Sequence, residues 1–201
     1  MRFRYLLFVM VVVLAFSSSL FGGLSEEIRA ANDITIEAMG RLMSASQVGS
    51  LISFLLLLVV SRFLSPHAML VVGILSSSLA LMGMGLSHSL ASFAFFFLAS
   101  SLCGYLYSAS NTVLMVASDP AHVRRNIPLM HLLYSMGAIA SGWYITALKE
   151  GVWYHGYLQI ALIYLVMGIA FAFMKPPADT ERYAKRPSRL LDSFSLLKER
   201  Q

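Results

Sequence analysis

The side chains able to do chemistry in this chain are few, and they sit inside long apolar stretches. Gln47 lies within one such stretch, Tyr107 and Asn111 within another, and His131 and Tyr134 within a third. Tyr107 and Asn111 are separated by four residues and His131 and Tyr134 by three, so each pair falls on one face of a helix. Amide, hydroxyl and imidazole groups exchange hydrogen bonds with hydroxyl-rich solutes, and a tyrosine ring offers an apolar face to a sugar ring. A polar group inside a membrane span is costly unless satisfied, so each residue marks either a solute pathway or a helix contact. For Gln47, Asn111 and His131 both readings stay open. Glu37 and Arg41, four residues apart, are spaced for an ion pair at the end of their stretch.

Hydrolytic and metal chemistry lack their residues. There is no paired intramembrane aspartate and no His-Glu-x-x-His. Ala140-Ser141-Gly142 lacks the glycine that an intramembrane serine protease places two residues before its serine. Gly137, Ala138, Ser141 and Gly142 instead suit close helix packing, as small residues do in lipid. The single cysteine, Cys103, excludes a disulfide framework and a cysteine-rich zinc site. The chain is expected to be no enzyme and to hold no cofactor and no metal.

The elements that must position these groups follow from composition. Of 201 residues, 58% are hydrophobic and 12% charged, about half the usual charged share of roughly 25%. One lipid-spanning helix takes about 20 apolar residues, so the length accommodates six spans with short loops. They are expected at about 5–24, 35–63, 68–86, 90–116, 127–148 and 153–174. The first begins with Arg2 and Arg4 before an apolar run, as a secretory signal does, yet the run continues to Leu24 and five more follow. Ser65-Pro66, Asp119-Pro120 and Lys175-Pro176-Pro177 mark boundaries, and Pro128 is expected in the first turn of the fifth span. The expected fold is an all-α integral membrane protein whose six-helix domain covers residues 1–175. The basic tail, 176–201, places Leu190, Leu191, Phe194 and Leu197 on one face, either as a surface-lying amphipathic helix or as a frayed end.

The formal charge of +5 marks topology rather than a nucleic-acid surface, because the basic residues lie in loops and at the ends. Twelve Lys and Arg fall on one side of the six spans, and only Arg29 and Lys149 on the other, with Arg41 set aside at a span edge. By the positive-inside rule both termini are cytoplasmic. Trp143, Tyr144, Trp153, Tyr154 and Tyr157 gather at the opposite side, as an interfacial aromatic belt does.

Residues 111–142, NTVLMVASDPAHVRRNIPLMHLLYSMGAIASG, resemble the span four to span five region of the major facilitator superfamily. Within it they look most like the sugar branch typified by fucose:proton symporters. Members there carry an asparagine late in span four, a basic inner loop, a polar residue twenty positions after the asparagine and a glycine six further on; here these are Asn111, Arg124 with Arg125, His131 and Gly137. His131 stands where that branch typically has glutamine and Tyr134 where it often has asparagine. The resemblance implies half of a major facilitator fold, transport of a small polar solute such as a sugar across the cell inner membrane, and a pathway lined by Gln47, Tyr107, Asn111, His131 and Tyr134. It also implies a gate involving Arg62 and Arg125, and a second six-helix half or a homodimer partner. The departures are specific. In the loop SRFLSPH, Ser61 replaces the aspartate that usually precedes the gating arginine, and Leu64 replaces a glycine. Buried carboxylates that the proton-coupled branch keeps in spans one and four are missing, so a non-transporting remnant or a membrane interaction subunit is the competing reading.

Reporter fusions test the topology. A reporter after Lys175 is expected to read cytoplasmic and one within residues 26–33 periplasmic; a periplasmic signal after Lys175 would overturn the six-span arrangement.

Overall fold

A computed structural model describes residues 2–148, 152–178 and 180. The described residues are helical, with short turns between. In chain order the helices are α1 (Arg2–Gly23), α2 (Ser25–Ala31), α3 (Ile36–Val60), α4 (Pro66–Gly85), α5 (Leu90–Ser118), α6 (Val123–Ala147) and α7 (Trp153–Phe173), with a 3-10 turn at Pro120–His122 before α6. The expected tail helix, Lys149 and the residues around it lie outside the described residues.

Local chemistry explains several starts. Thr35, Ser65 and Ser89 each accept a hydrogen bond from the backbone N–H three residues on, at 3.2 Å, and so cap α3, α4 and α5. Pro66 occupies the first position of α4, where its missing N–H costs nothing. Asp33 takes a left-handed φ of 51° in the turn between α2 and α3. An acidic or amide side chain tolerates that conformation better than a branched one.

Two readings of the sequence change. Helix α6 begins at Val123, so Pro128 lies inside it rather than in its first turn, and Arg124 and Arg125 are helical. Among the described residues five helices, α1, α3, α4, α5 and α7, are long and apolar enough to cross a membrane by length and composition, where the sequence suggested six. Helix α6 has the length, at 25 residues, but carries Arg124, Arg125 and Asn126 near its start and His131, Tyr134 and Ser135 further along.

Four helices, α1, α5, α4 and α7, form the centre, and α3 and α6 flank it on opposite sides: α3 packs on α5 and α6 on α1. Ser53 Oγ donates to Leu102 O at 2.5 Å where α3 meets α5, and Ser78 Oγ to Ala161 O at 2.7 Å where α4 meets α7. His67 Nε2 donates to Phe171 O at 3.0 Å, again between α4 and α7. The α1–α6 pair runs parallel, because Gly137 lies on Val12 and Ala15 while Ile145 lies on Gly23. The α3–α5 pair is parallel too, Gly49 facing Ser101 and Ser53 facing Leu102. Exchanging the first three long helices for the last three maps one pair onto the other, the signature of a 3+3 repeat.

Arg29 pairs with Glu26 on α2 at one end of this bundle, and Arg4, Arg62, Arg124 and Arg125 lie at the other, basic end. Arg4 pairs with Asp119 there, and Phe3 packs edge-on against Phe171 and tilted against His67. At the opposite end the aromatic belt is only partly realised. Trp143 is exposed, but Trp153 and Tyr157 are buried against Phe93, with ring centroids 6.0 and 6.1 Å from it. Glu37 and Arg41 are both exposed and do not pair; the ion pairs among the described residues are Arg4–Asp119, Glu26–Arg29 and Asp119–His122.

The small residues of α6 divide by position. A Cβ on Gly137 would stand 2.9 Å from Ala15 Cβ and 3.1 Å from Val12 O, whereas Gly142 faces open space. Replacing Gly137 with Ala is expected to force α1 and α6 apart, costing about 1–3 kcal/mol as overpacking does. Gly142→Ala is expected to leave the melting temperature in detergent unchanged or to raise it by a few degrees, since the added Cβ meets nothing and gains helix propensity.

Candidate functional site

Among the described residues, adjoining cavities of different size lie between the helices. The larger, about 490 Å³, is bounded by α1, α3, α4, α5, α6 and α7, and the smaller, about 290 Å³, by α1, α5 and α6. Leu14, Ser108 and Tyr134 line both, so the two adjoin at these residues. The larger volume falls within the roughly 300–1,000 Å³ typical of small-molecule sites.

The larger cavity's wall carries Gln47, four tyrosines and seven serines, and none of its lining residues is Asp, Glu, Lys, Arg or His. Helical spacing builds it. Ser46 and Ser50 on α3 and Ser100, Gly104 and Ser108 on α5 recur every four residues, which stacks them on one face of each helix. Phe21, Leu81, Met84 and Phe97 form an apolar region of the same cavity, the Phe21 and Phe97 rings stacking at 4.1 Å between centroids.

Hydrogen bonding beside the cavity has a direction. Ser17 Oγ donates to Leu14 O at 2.9 Å, so its oxygen accepts from the Tyr164 hydroxyl at 2.7 Å. A phenol has one hydrogen, so Tyr164 in turn accepts from the Tyr107 hydroxyl at 2.6 Å. Tyr107 and Tyr164 are buried. Ser18, Ser46 and Ser101 likewise donate to carbonyls of their own helices, at 2.8, 2.8 and 3.1 Å. With these hydrogens committed, the oxygens of Ser17, Ser18, Ser46, Ser101 and Tyr107 have only acceptor capacity left.

The residues singled out from the sequence fall into three groups. Gln47, Tyr107 and Tyr134 line the larger cavity; Asn111, His131 and Tyr134 line the smaller. Asn111 is also a helix contact, its Nδ2 donating to Leu7 O on α1 at 3.4 Å while its buried Oδ1 has no partner among the described residues. Arg62 and Arg125 are exposed at the basic end and line neither cavity. Sequence reasoning missed Ser17, Tyr157 and Tyr164. The spacing of Ser17, Tyr157 and Tyr164 along two helices far apart in the chain gave no signal of their meeting.

It also missed a clasp at the basic end. Asp119, just past α5, accepts from Arg4 Nη1 on α1, from His122 Nδ1 at 2.8 Å in the 3-10 turn, and from Asn126 Nδ2 at 3.2 Å on α6. The His122 hydrogen bond above all, then that from Asn126, with the charges of His122 and Arg4 adding, lowers the Asp119 carboxyl to a pKa of about 2. Among the described residues no group of three or more His, Cys, Asp or Glu is placed to hold a metal ion.

A helical membrane bundle with an internal repeat and a polar, uncharged cavity between its central helices has the construction of a solute carrier. The family model of the Major Facilitator Superfamily matches residues 6–200, and the chain belongs to that superfamily. A comparison with curated proteins finds no match.

The clasp yields a pH prediction. An aspartate held below its unfolded value of about 3.9 adds stability that is present above that pH and is lost as pH falls through the folded value of about 2. The stability difference between the unaltered chain and Asp119→Asn, read as melting temperature in detergent, therefore follows the Asp119 carboxylate at low pH. It should shrink between about pH 4 and 2.

Proposed function

We propose that this chain forms one half of a carrier for a neutral, hydroxyl-rich solute, a sugar being the leading class, in the cell inner membrane with both termini cytoplasmic. The observation that carries the reading is the wall of the larger cavity: serine and tyrosine oxygens left as acceptors, a glutamine amide, apolar ring faces and no charged side chain. Such a wall suits a solute rich in hydroxyl donors and lacks a counter-charge for an anion. The smaller cavity, adjoining at Leu14, Ser108 and Tyr134, continues the pathway toward the basic end, with Asn111 and His131 in its wall.

Helix α6 acts as the sixth span in this reading. It runs beside α1 from Gly137 against Val12 and Ala15 to Ile145 against Gly23. Its polar residues His131 and Tyr134 line the cavities, and that raises its polarity without barring it from the bilayer. Alternating access requires two bundles rocking about the solute, so the transporting unit includes a second six-helix half or a second copy of this chain. In this reading Arg62 and Arg125, both exposed, take part in the gate that the two halves form. The competing reading, a non-transporting remnant or an interaction subunit, draws on the serine in place of the usual aspartate beside Arg62.

Binding and uptake separate the two. The purified chain in lipid nanodiscs should bind neutral hexoses, and Asn111→Ala should weaken that binding several-fold, the loss of a hydrogen bond worth on the order of 1 kcal/mol. His131→Gln should retain it. Liposomes loaded so sparsely that most hold a single chain should show no saturable hexose uptake. Absence of hexose binding would favour the non-transporting reading, and uptake by single chains would refute the half-carrier arrangement.

A further inference from the structure

The cavities have an open side. Gln47, Tyr105 and Tyr134 line the larger and Thr112 and His131 the smaller, and each of these side chains is exposed. They lie on α3, α5 and α6, so the cavities open on the face between the flanking helices α3 and α6. A row of polar side chains turned to hydrocarbon is costly, which makes this a face that another protein covers. At the basic end both flanking helices carry cations. Arg62 follows α3 by two residues, Arg124 and Arg125 lie in the first turn of α6, and all three are exposed with no ion pair among the described residues. Arg124 precedes His131 by seven residues, two helical turns, and so stands on the face of α6 that lines the smaller cavity. Asp119, the one carboxylate at that end among the described residues, is already taken by Arg4, His122 and Asn126.

These charges discriminate between the possible partners. A second copy in the same orientation, related by a two-fold axis along the membrane normal, sets α3 of each copy opposite α6 of the other. Arg62 then meets Arg124 and Arg125 of the second copy, and like charges brought together disfavour such a pairing. Residues 176–201 carry six Lys and Arg against four Asp and Glu, so the tail of a second copy adds net positive charge. An inverted copy would present Glu27, Asp33 and Glu37 from its other end, but the placement of Lys and Arg holds every copy in one orientation. Building on the half-carrier reading above, we infer that the face between α3 and α6 docks a six-helix half of different sequence, one that carries carboxylates at the basic end where Arg62, Arg124 and Arg125 lie. Its ion pairs with Arg124 form on the helix face that lines the smaller cavity.

Pairing between charge-swapped copies tests the inference. The probe is the full chain carrying Arg62→Glu, Arg124→Glu and Arg125→Glu, which presents carboxylates at the basic end of an otherwise unaltered face. Its other Lys and Arg keep the same orientation, and a reporter after Lys175 checks this. Donor and acceptor fluorescent proteins fused after Gln201 report pairing by energy transfer in inverted membrane vesicles from cells that make both chains in equal amount. The mixed pair of unaltered and swapped chains should associate roughly tenfold more tightly than either chain with itself. Raising the salt to about 0.5 M should remove most of that preference, because exposed charges are screened. If the swapped chain fails to accumulate, the same three positions changed to Gln should give a smaller gain of the same sign, and no gain would overturn the inference. Unaltered chains that pair with each other as tightly as with the swapped chain would make a second copy the partner and overturn it. Background transfer in every combination would assign the three arginines to lipid headgroups or water and also overturn it. Hexose binding plays no part in this readout, so the solute reading can fail separately; saturable uptake by single chains would remove the half-carrier reading and the inference with it.

Discussion

A helix in hydrocarbon has no water to accept its hydrogens, so a hydroxyl or amide that enters the bundle is costly unless it finds an acceptor inside it. The chain meets this constraint mainly with serines that turn back onto their own helix: Ser18 onto Leu14 O, Ser46 onto Met43 O, Ser101 onto Phe97 O and Ser110 onto Leu106 O. Where helices touch, Ser53 and Ser78 use the same hydrogen to tie α3 to α5 and α4 to α7. Tyr107 and Tyr164 solve the problem jointly, passing their donors along to Ser17 and from there to Leu14 O. The polarity of the cavity is a consequence. Hydrogens that Ser17, Ser18, Ser46, Ser101 and Tyr107 spend on the fold leave their oxygens as acceptors beside the cavity, whose wall carries no charged side chain.

The same bundle shows how a repeat organises a cavity. Parallel pairs α1–α6 and α3–α5 flank the centre, while α4 and α7 close the back through Ser78, His67 and the close approach of Gly168 to Leu75. Close packing of this kind depends on residues without bulk. A Cβ on Gly73 would come within 2.8 Å of the Tyr107 backbone nitrogen, so the position of Tyr107, and with it the hydroxyl chain to Ser17, rests on a glycine one helix away. At the basic end Asp119 gathers α1, the turn before α6, and α6 itself. The clasp thereby ties together the helices that wall the smaller cavity.

Composition and spacing determined the membrane class and the approximate helices, because apolar run length is a local property of the chain. Local capping chemistry at Thr35, Ser65 and Ser89 agrees with the helix starts. The sequence also brought forward Gln47, Tyr107, Asn111, His131 and Tyr134 as polar groups in apolar surroundings; each lines the larger or the smaller cavity, and Tyr134 lines both. Only the tertiary structure decided what those groups do with their hydrogens. Tyr107 is spent on Tyr164, 57 residues away, and Asn111 reaches a carbonyl of α1, 104 residues away. The start of α6 was misread for a different reason: Pro128 suits a first turn, but the Asp119 clasp, which includes Asn126, begins the helix at Val123. Tyr157 looked like an interfacial aromatic because its neighbours in sequence are aromatic, and packing against Phe93 turned it inward instead. Hydrogen-bond partners and burial are set between helices far apart in the chain, and no spacing along one helix encodes them.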